Sequence, residues 1–189
     1  QTVRVPRRVV YLQGFLLGLV ALVFYVFGMV VGSSSRSESG GAPAQPCTIS
    51  GTIQYEDSAR QAVPDASSVV LVVPLAARPD QKAAAAGLRV SDPAPGGAHP
   101  GVAMIRSLGG AYGRVDRRGR YRLRVTAPGR YYLLVISQHA VRTAGLQPDA
   151  GDLAQIGRYV VPATSLLDDQ QYTWQELRIR ADTTFDCTF

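Results

Sequence analysis

Few residues in this sequence have the types and spacing that enzymes or metal sites need. The two histidines, His99 and His139, have no neighbouring cysteines or acidic cluster in the sequence that could complete a set of metal ligands. Serine, histidine and aspartate all occur, but no Gly-x-Ser-x-Gly elbow surrounds a serine. The C-x-x-C-H motif of covalent haem attachment is also absent. We therefore expect no enzyme activity, no metal and no cofactor.

The densest charged feature is a run of arginines between residues 114 and 124. A guanidinium binds a carboxylate or phosphate through paired hydrogen bonds, so this run could dock an acidic protein surface or lipid phosphates. We favour the alternative, the solvated outer face of a β-hairpin whose charges discourage pairing at a sheet edge. The residues concerned are Arg114, Arg117, Arg118, Arg120, Arg122 and Arg124.

Three aromatic residues, Tyr159, Tyr172 and Trp174, could line a sugar-binding surface by stacking, but we favour their burial in a sandwich core. The net charge of +6 gives little support for nucleic-acid binding. All fourteen acidic residues and seventeen of the twenty basic ones follow residue 32, so that part of the chain is only mildly basic. We expect neither a nucleic acid nor a small-molecule substrate as partner.

Residues 9–32 are almost entirely apolar, with Gln13 the only strongly polar side chain. About 20 helical residues cover a hydrocarbon core of ~30 Å, so this segment predicts one transmembrane helix in the lipid bilayer. It is too long for the apolar part of a cleaved signal peptide. Arg4, Arg7 and Arg8 precede it, which places the N-terminus in the cytoplasm. We expect a single-pass protein of the inner (cytoplasmic) membrane with a periplasmic or other extracytoplasmic domain.

Small residues recur along one face of this predicted helix. Pairs of small residues four positions apart let two helices approach closely, so the stripe could pack against another transmembrane subunit. Glycine is also common in membrane helices generally, and both interpretations stay open. The residues of the stripe are Gly14, Gly18, Ala21, Gly28 and Gly32.

Composition divides the chain into four segments. We predict a basic cytoplasmic arm at 1–8, the transmembrane helix at 9–32, a flexible linker at 33–46 and one extracytoplasmic domain at 47–189. Cys47 and Cys187 bracket that domain, and in an oxidising compartment we expect them to form a disulfide. The alternative is two buried thiols that never meet.

The domain has the patterning of a mainly β fold. Residues 47–55 alternate between apolar and polar side chains, which predicts a half-buried strand, whereas residues 69–73 and 131–136 are apolar on both faces, as in covered strands. A hairpin is predicted at 111–125 around a type I turn, and final strands at 172–179 and 183–189. Short helices are predicted at 79–86 and 148–158, with a loop at 91–101.

Several turn and strand motifs then resemble the carboxypeptidase regulatory-like family. They are Ser50-Gly51-Thr52-Ile53, Val63-Pro64-Asp65-Ala66, Asp116-x-x-Gly119-x-Tyr121 and Ala127-Pro128-Gly129-x-Tyr131. The resemblance implies a transthyretin-like (prealbumin-like) β-sandwich of about seven strands with one or two short helices, in a non-catalytic domain. The chain departs from the family pattern in residues 75–110 and 141–167, which leaves the strand order open.

Together these features favour a non-catalytic, single-pass accessory or structural subunit of a larger membrane complex, such as a respiratory or photosynthetic electron-transfer assembly. Its helix would pack on partner helices, and its outer domain would brace the extracytoplasmic face. The alternative is a membrane-tethered module that binds glycan or peptide, which predicts an exposed aromatic platform. A membrane-anchored enzyme is a third, weaker hypothesis, because it needs convergent polar groups that the sequence does not reveal.

Overall fold

The computed structural model describes residues 45–189, in which eleven strands and three short helices are formed. The strands are β1 (Cys47–Glu56), β2 (Ala62–Pro64), β3 (Val69–Pro74), β4 (Ala83–Ala84), β5 (Ala111–Arg114), β6 (Arg120–Val125), β7 (Gly129–Val141), β8 (Val160–Val161), β9 (Gln170–Ile179), β10 (Thr183–Thr184) and β11 (Cys187–Thr188). The helices are α1 (Pro100–Ser107), α2 (Ala150–Ile156) and α3 (Ala163–Leu167). The mainly β class is confirmed, with more strands than the seven expected.

The predicted membrane helix at 9–32, its small-residue stripe and most of the predicted linker lie outside the described residues. Within residues 45–189, no helix has the length and apolar character needed to span a bilayer.

Two sheets pack face to face and form a β-sandwich. In the first, β1 pairs antiparallel with β6 and β2, and parallel with β10 and β11. In the second, the strand order is β5-β3-β7-β9, with every pair antiparallel. Inward-facing residues of both sheets form the inter-sheet core, for example Ile49 and Ile53 from β1 and Val70 and Leu133 from the second sheet. The predicted alternation of β1 is therefore confirmed.

A third layer covers the other face of the second sheet. The helices and the segment around β4 pack there and enclose the helix-side core, which includes Leu71, Leu88, Ile105 and Leu134. All five residues of Val69–Val73 are buried because β3 is covered on both faces, as its unbroken apolar run predicted. The two stretches that depart from the family pattern supply this layer, and they are linked by parallel pairing of β4 with β8.

The predicted hairpin at 111–125 is wrong in its pairing. Its turn exists, since Gly119 N–H donates to the Asp116 carbonyl at 3.0 Å. However, β5 pairs with β3 in the second sheet, while β6 pairs with β1 in the first. The chain therefore crosses from one sheet to the other at this turn. A local turn motif does not distinguish these two outcomes, because the same four residues can join strands of one sheet or of two.

The predicted helix at 79–86 does not form. Ala83 and Ala85 are buried, while Ala84 between them is exposed. The Ala83 N–H donates to the Tyr159 carbonyl and the Ala85 N–H to the Val161 carbonyl. The predicted loop at 91–101 ends instead in α1, which begins with Pro100 and is capped by His99 Nδ1, an acceptor from Gly101 N–H at 3.2 Å. The helix predicted at 148–158 is confirmed as α2.

The final predicted strand is divided into β10 and β11, both parallel to β1. The break lies opposite Gly51, where a Cβ atom would stand 1.8 Å from the Phe185 carbonyl oxygen. Phe185 N–H donates to the Ser50 carbonyl at 2.9 Å, which holds the chain against β1 at this point. Gly51 is therefore needed for close approach of two backbones.

Candidate functional site

A cavity beside the edge strand β9 combines aromatic and polar side chains. It has a volume of about 600 Å³ and lies between the segment from Arg142 to Asp149, helix α2 and the residues Gln171, Tyr172 and Trp174 of β9. We call it the Trp174 pocket. Strand β9 is an edge of the second sheet, and this face of it borders the helix-side core. The aromatic residues are therefore held by regular structure, while the opposite wall is irregular.

The indole of Trp174 is fixed on two sides. Its ring stacks on Tyr132 with a centroid distance of 4.7 Å and an interplanar angle of 19°. Its Nε1–H donates to Gln155 Oε1 of α2 at 2.8 Å. Stacking and a directed hydrogen bond together restrict both the tilt and the rotation of the ring. The aromatic wall of the pocket is thus preorganised.

Tyr172 joins β9 to the start of α2. Its hydroxyl accepts the Asp149 N–H at 3.1 Å and donates to Asp152 Oδ2 at 3.0 Å. Burial raises the pKa of Tyr172, which keeps the phenol protonated and able to donate near neutral pH. Asp149 caps α2 by accepting the N–H groups of Gly151 and Asp152 through Oδ1. The hydrogen bonds found for these carboxylates leave Asp152 Oδ1 and Asp149 Oδ2 without a partner among residues 45–189.

Arg142 forms the cationic part of the pocket. One of its terminal nitrogens donates to the Gln170 carbonyl at 3.1 Å and the other to the Asp168 carbonyl. Its Nε atom is buried without a partner in the described part of the chain, and so is the neighbouring Gln170 Oε1. An unpaired buried polar atom costs about 1–3 kcal/mol, and an ordered water or another bound group can supply the missing partner.

A second polar cluster surrounds Asp65, whose side chain is fully buried. Its Oδ2 accepts the Ser137 hydroxyl at 2.6 Å, and its Oδ1 lies 2.7 Å from His139 Nδ1. The geometry assigns the Nδ1–H tautomer to the imidazole, which also stacks on Tyr55 at 4.8 Å. Ser137 hydrogen-bonds the carboxylate, whereas a Ser-His-Asp triad requires the serine to bond the histidine. We interpret the cluster as a structural bridge between the turn before β3 and the end of β7.

The predicted disulfide is wrong. Both thiols are free, with Cys47 buried and Cys187 half-buried. Cys187 pairs with Ile53 of β1, six residues beyond Cys47, which puts the two cysteines ~20 Å apart at about 3.3 Å per strand residue. A disulfide needs Cα atoms within about 7 Å. The two cysteines bracket the domain in sequence, but in the fold Cys47 begins β1 and Cys187 lies beside the other end of that strand. Burial raises the pKa of the Cys187 thiol, which makes it a poor nucleophile.

Docking at the predicted arginine patch stays a prediction, and Arg114 differs from the other five arginines of that patch. Its guanidinium points into the protein and donates to the carbonyls of Ser67, Arg89, Val90 and Asp92 and to the Tyr112 hydroxyl. The other five arginines are exposed. Arg114 is on β5 of the second sheet, Arg117 and Arg118 lie in the turn, and Arg120, Arg122 and Arg124 are on β6 of the first sheet. Arg114 still borders the same cavity as Arg120 and Arg122, so it differs from them by its hydrogen bonds to carbonyl groups and not by its distance from them.

The three aromatic candidates divide between core and pocket. Tyr159 is 1% exposed and donates its hydroxyl to the Pro74 carbonyl at 2.9 Å, so it is a core residue. Tyr172 and Trp174 are half-buried and line the pocket. Sequence reasoning missed Arg142, Asp149 and Asp152, which have no recognisable motif. Within residues 45–189, no three potential metal ligands from histidine, cysteine, aspartate or glutamate lie close together.

Comparison with known proteins gives no family for this chain. No protein-family model matches it, and no curated protein does. A candidate carbohydrate-binding protein from Pseudomonas aeruginosa aligns over 82% of this chain and 96% of its own, with 11% identity and a TM-score of 0.41. The minor pilin of Streptococcus agalactiae aligns over 77% of this chain and 44% of its own, with 13% identity and a TM-score of 0.34. Both TM-scores are below 0.5, so the function must be argued from this chain's own geometry.

Proposed function

We propose that this chain is a non-catalytic, membrane-tethered binding module, and that the Trp174 pocket binds a sugar ring of a glycan. The transthyretin-like arrangement that the motifs resemble is part of this proposal, as the rigid frame that carries the pocket. The observation behind it is a preorganised aromatic wall facing a polar wall across a cavity of about 600 Å³. That volume is within the usual range of about 300–1,000 Å³ for small-molecule sites.

A sugar ring matches both walls of the pocket. One face of a hexose presents C–H groups, which pack on an aromatic surface such as that of Trp174. Its hydroxyl groups both donate and accept, and the opposite wall provides acceptors from Asp149 and Asp152 and donors from Arg142 and Gln147. A purely apolar ligand would leave these polar groups unpaired. Polyhydroxylated rings are therefore favoured over lipids or aromatic ligands.

The rim of the pocket is exposed, which suits a chain of sugars better than a single enclosed one. Thr143, Leu146 and Gln147 are all exposed on the loop that forms the rim, with Leu146 at 64%. A glycan bound at Trp174 can therefore continue past this loop into solvent.

The test uses the intrinsic fluorescence of Trp174, which is the sole tryptophan of the chain. The full chain in phospholipid vesicles, which contain no other tryptophan and no glycoside detergent, is titrated with a panel of oligosaccharides, and the emission shift is followed. We expect a saturable shift for at least one sugar. Asp152→Asn and Gln147→Ala should each weaken binding about tenfold, equal to ~1.4 kcal/mol.

The matched control is Gln61→Ala, which removes an exposed glutamine outside the pocket and should leave the affinity unchanged. A panel that produces no saturable shift, or a shift that Asp152→Asn and Gln147→Ala leave intact, contradicts sugar binding at this pocket.

The accessory-subunit role stays a prediction, because it depends on the small-residue stripe outside the described residues. It is tested by changing Gly14 and Gly18 to leucine and separating native membranes by native electrophoresis. Loss of the chain from a larger band supports packing on partner helices. Migration of the unmodified chain by itself contradicts that role and leaves the binding module as the function.

A further inference from the structure

The sandwich has two ends, and one of them is where the described chain begins. Strand β1 starts there at Cys47, and the pairing register brings the end of β6 at Val125, the start of β7 at Gly129 and the end of β9 at Ile179 to the same place. We call this the tether end, because the predicted linker and membrane helix precede it in sequence. The other end carries the turn at Asp116 and the end of β1 at Glu56.

Exposed arginines concentrate at the tether end. Arg106, Arg122 and Arg124 line a cavity of about 440 Å³ together with Pro46, one of the first described residues. Arg178 and Arg180 border a second cavity of about 290 Å³. Residues 45–189 contain no ion pair for any of these five arginines. Their charges are thus available to an external anion.

The carboxylates at this end already have partners. Asp182 Oδ1 accepts the Thr48 N–H at 2.7 Å, and Glu176 Oε2 accepts from Arg130 Nη2 at 2.9 Å. Hydrogen bonding to Arg130 lowers the pKa of Glu176, so it remains ionised and paired near neutral pH. The backbone N–H leaves the charge of Asp182 in place, but the five arginines named above and Arg130 outnumber Asp182 and Glu176, so the tether end has an excess of positive charge. The opposite end carries Asp57, Asp116 and Glu56 among its arginines.

We propose that the tether end docks on the anionic phosphates of the bilayer that the predicted helix spans. The proposal rests on that predicted helix and not on the Trp174 pocket. The linker predicted at 33–46 would span ~20 Å as a coil, which would keep this end of the domain near the headgroups. Basic clusters beside a membrane are attracted to anionic lipid within a Debye length of ~10 Å. Guanidinium groups also bind phosphate oxygens through paired hydrogen bonds.

Arg106, Arg122 and Arg124 line the same cavity as Pro46, beside the point where the predicted linker joins the domain. The exposed Arg117 and Arg118 at the opposite turn could bind an acidic protein surface as well as the arginines of the tether end. What distinguishes the tether end is its proximity to the linker, and this favours lipid as the occupant.

The test follows hydrogen exchange of the full chain in nanodiscs of phosphatidylcholine, with or without phosphatidylglycerol. We expect peptides covering 120–126 and 176–182 to exchange more slowly in the anionic discs, and the difference to disappear at high salt. The double variant Arg122→Gln with Arg124→Gln should reduce the docked-to-free ratio roughly twenty-five-fold, from about a factor of five per arginine near an anionic surface. Neither side chain forms an ion pair in residues 45–189, so the fold should be retained.

The matched control is Arg117→Gln with Arg118→Gln, which removes the same charge from the opposite end and should keep the protection. Equal exchange in both kinds of disc overturns the proposal, as does an equal loss in the control variant, which would indicate unspecific attraction. Protection seen in native membranes but absent from anionic discs would mean that a protein occupies this surface, and would also overturn it.

Discussion

At the scale of single residues, Asp65 is the clearest case of a buried charge that the fold depends on. It is fully buried and accepts hydrogen bonds from the Ser137 hydroxyl and the Gln138 N–H, with His139 Nδ1 at 2.7 Å. Removing one partner from a buried charged network leaves the others unsatisfied, at a cost of about 3–5 kcal/mol. Asp65→Ala should therefore reduce the free energy of unfolding by about that amount.

This prediction is checked by urea unfolding of residues 45–189, which contain both hydrophobic cores. Asp80→Ala is the control, because Asp80 is exposed and forms no side-chain hydrogen bond among those described, so its replacement should change stability by less than about 0.5 kcal/mol. Equal midpoints for the two variants would show that the network contributes nothing.

The sequence could not indicate this role of Asp65, because Pro64-Asp65 has the composition of an ordinary exposed turn. Its partners Ser137 and His139 are more than seventy positions away in the chain. The same limitation applies to Arg114. It stands in an arginine run, yet only the tertiary structure brings four carbonyl groups around its side chain.

At the scale of elements, Arg114 attaches the segment before α1 to the second sheet. All its donor nitrogens are used, and three of the carbonyls that it binds belong to Arg89, Val90 and Asp92. Lysine keeps the charge but lacks the planar fork, so Arg114→Lys should lose several of these bonds and about 2–3 kcal/mol of stability. Thermal unfolding measures the loss. Arg118→Lys is the control, since Arg118 is exposed, and it should melt like the unmodified domain.

The same segment should loosen in acid through Asp92. Its carboxylate accepts from the Arg89 guanidinium and from the Gly87 N–H at 2.7 Å. The hydrogen bond with Arg89 holds the pKa of Asp92 below its usual value. A lowered folded-state pKa means that the stabilisation is present above the unfolded-state pKa near 3.8 and is lost as the pH falls through the folded-state value.

Hydrogen exchange should then show that, after correction for the intrinsic rate, the Gly87 amide loses protection below about pH 4. In Asp92→Asn the remaining protection should no longer depend on pH in this range. A pH dependence that survives the substitution would assign the effect to another carboxylate.

Elements were predictable where their own side chains determine the outcome. The alternation of β1 and the apolar runs of β3 and β7 follow directly from which faces are covered. Residues 83–86 are four consecutive alanines, whose uniform composition has no periodicity, so only the pairing with β8 selects a strand there. The chain likewise crosses from one sheet to the other between β5 and β6 because β5 pairs with β3 and β6 pairs with β1, and the turn itself does not determine this.

At the scale of the whole molecule, the separation of Cys47 and Cys187 means that no covalent link closes the domain. Reducing agent should therefore leave the melting temperature unchanged, and the mobility on denaturing gels should be the same with and without it. Both thiols should react with iodoacetamide in the unfolded protein. In the folded protein, the half-buried Cys187 should react more readily than the buried Cys47. A drop of several degrees in the melting temperature on adding reductant would show that the disulfide predicted from the sequence does form.

The two cores should unfold as one unit, because β3 and β7 contribute to both. In β3, Val70 and Val72 face the inter-sheet core, while Val69 and Leu71 face the helix-side core. Neither core can open without disrupting the sheet that forms a wall of the other. Leu88→Ala, which empties space on the helix side, should cost about 2–5 kcal/mol. Ile53→Val, on the opposite side of the sheet, should cost about 0.5–1.5 kcal/mol.

Two probes test this cooperativity in urea. Trp174 fluorescence reports the helix side, against which its ring packs, while far-UV circular dichroism reports all strands. We expect coincident transitions in the unmodified domain and in both variants, with the midpoint moving further for Leu88→Ala. If Leu88→Ala moved the fluorescence transition and left the dichroism unchanged, the helical layer would be a separate unit. The Trp174 pocket, half of which that layer forms, could then open while the sandwich stayed folded.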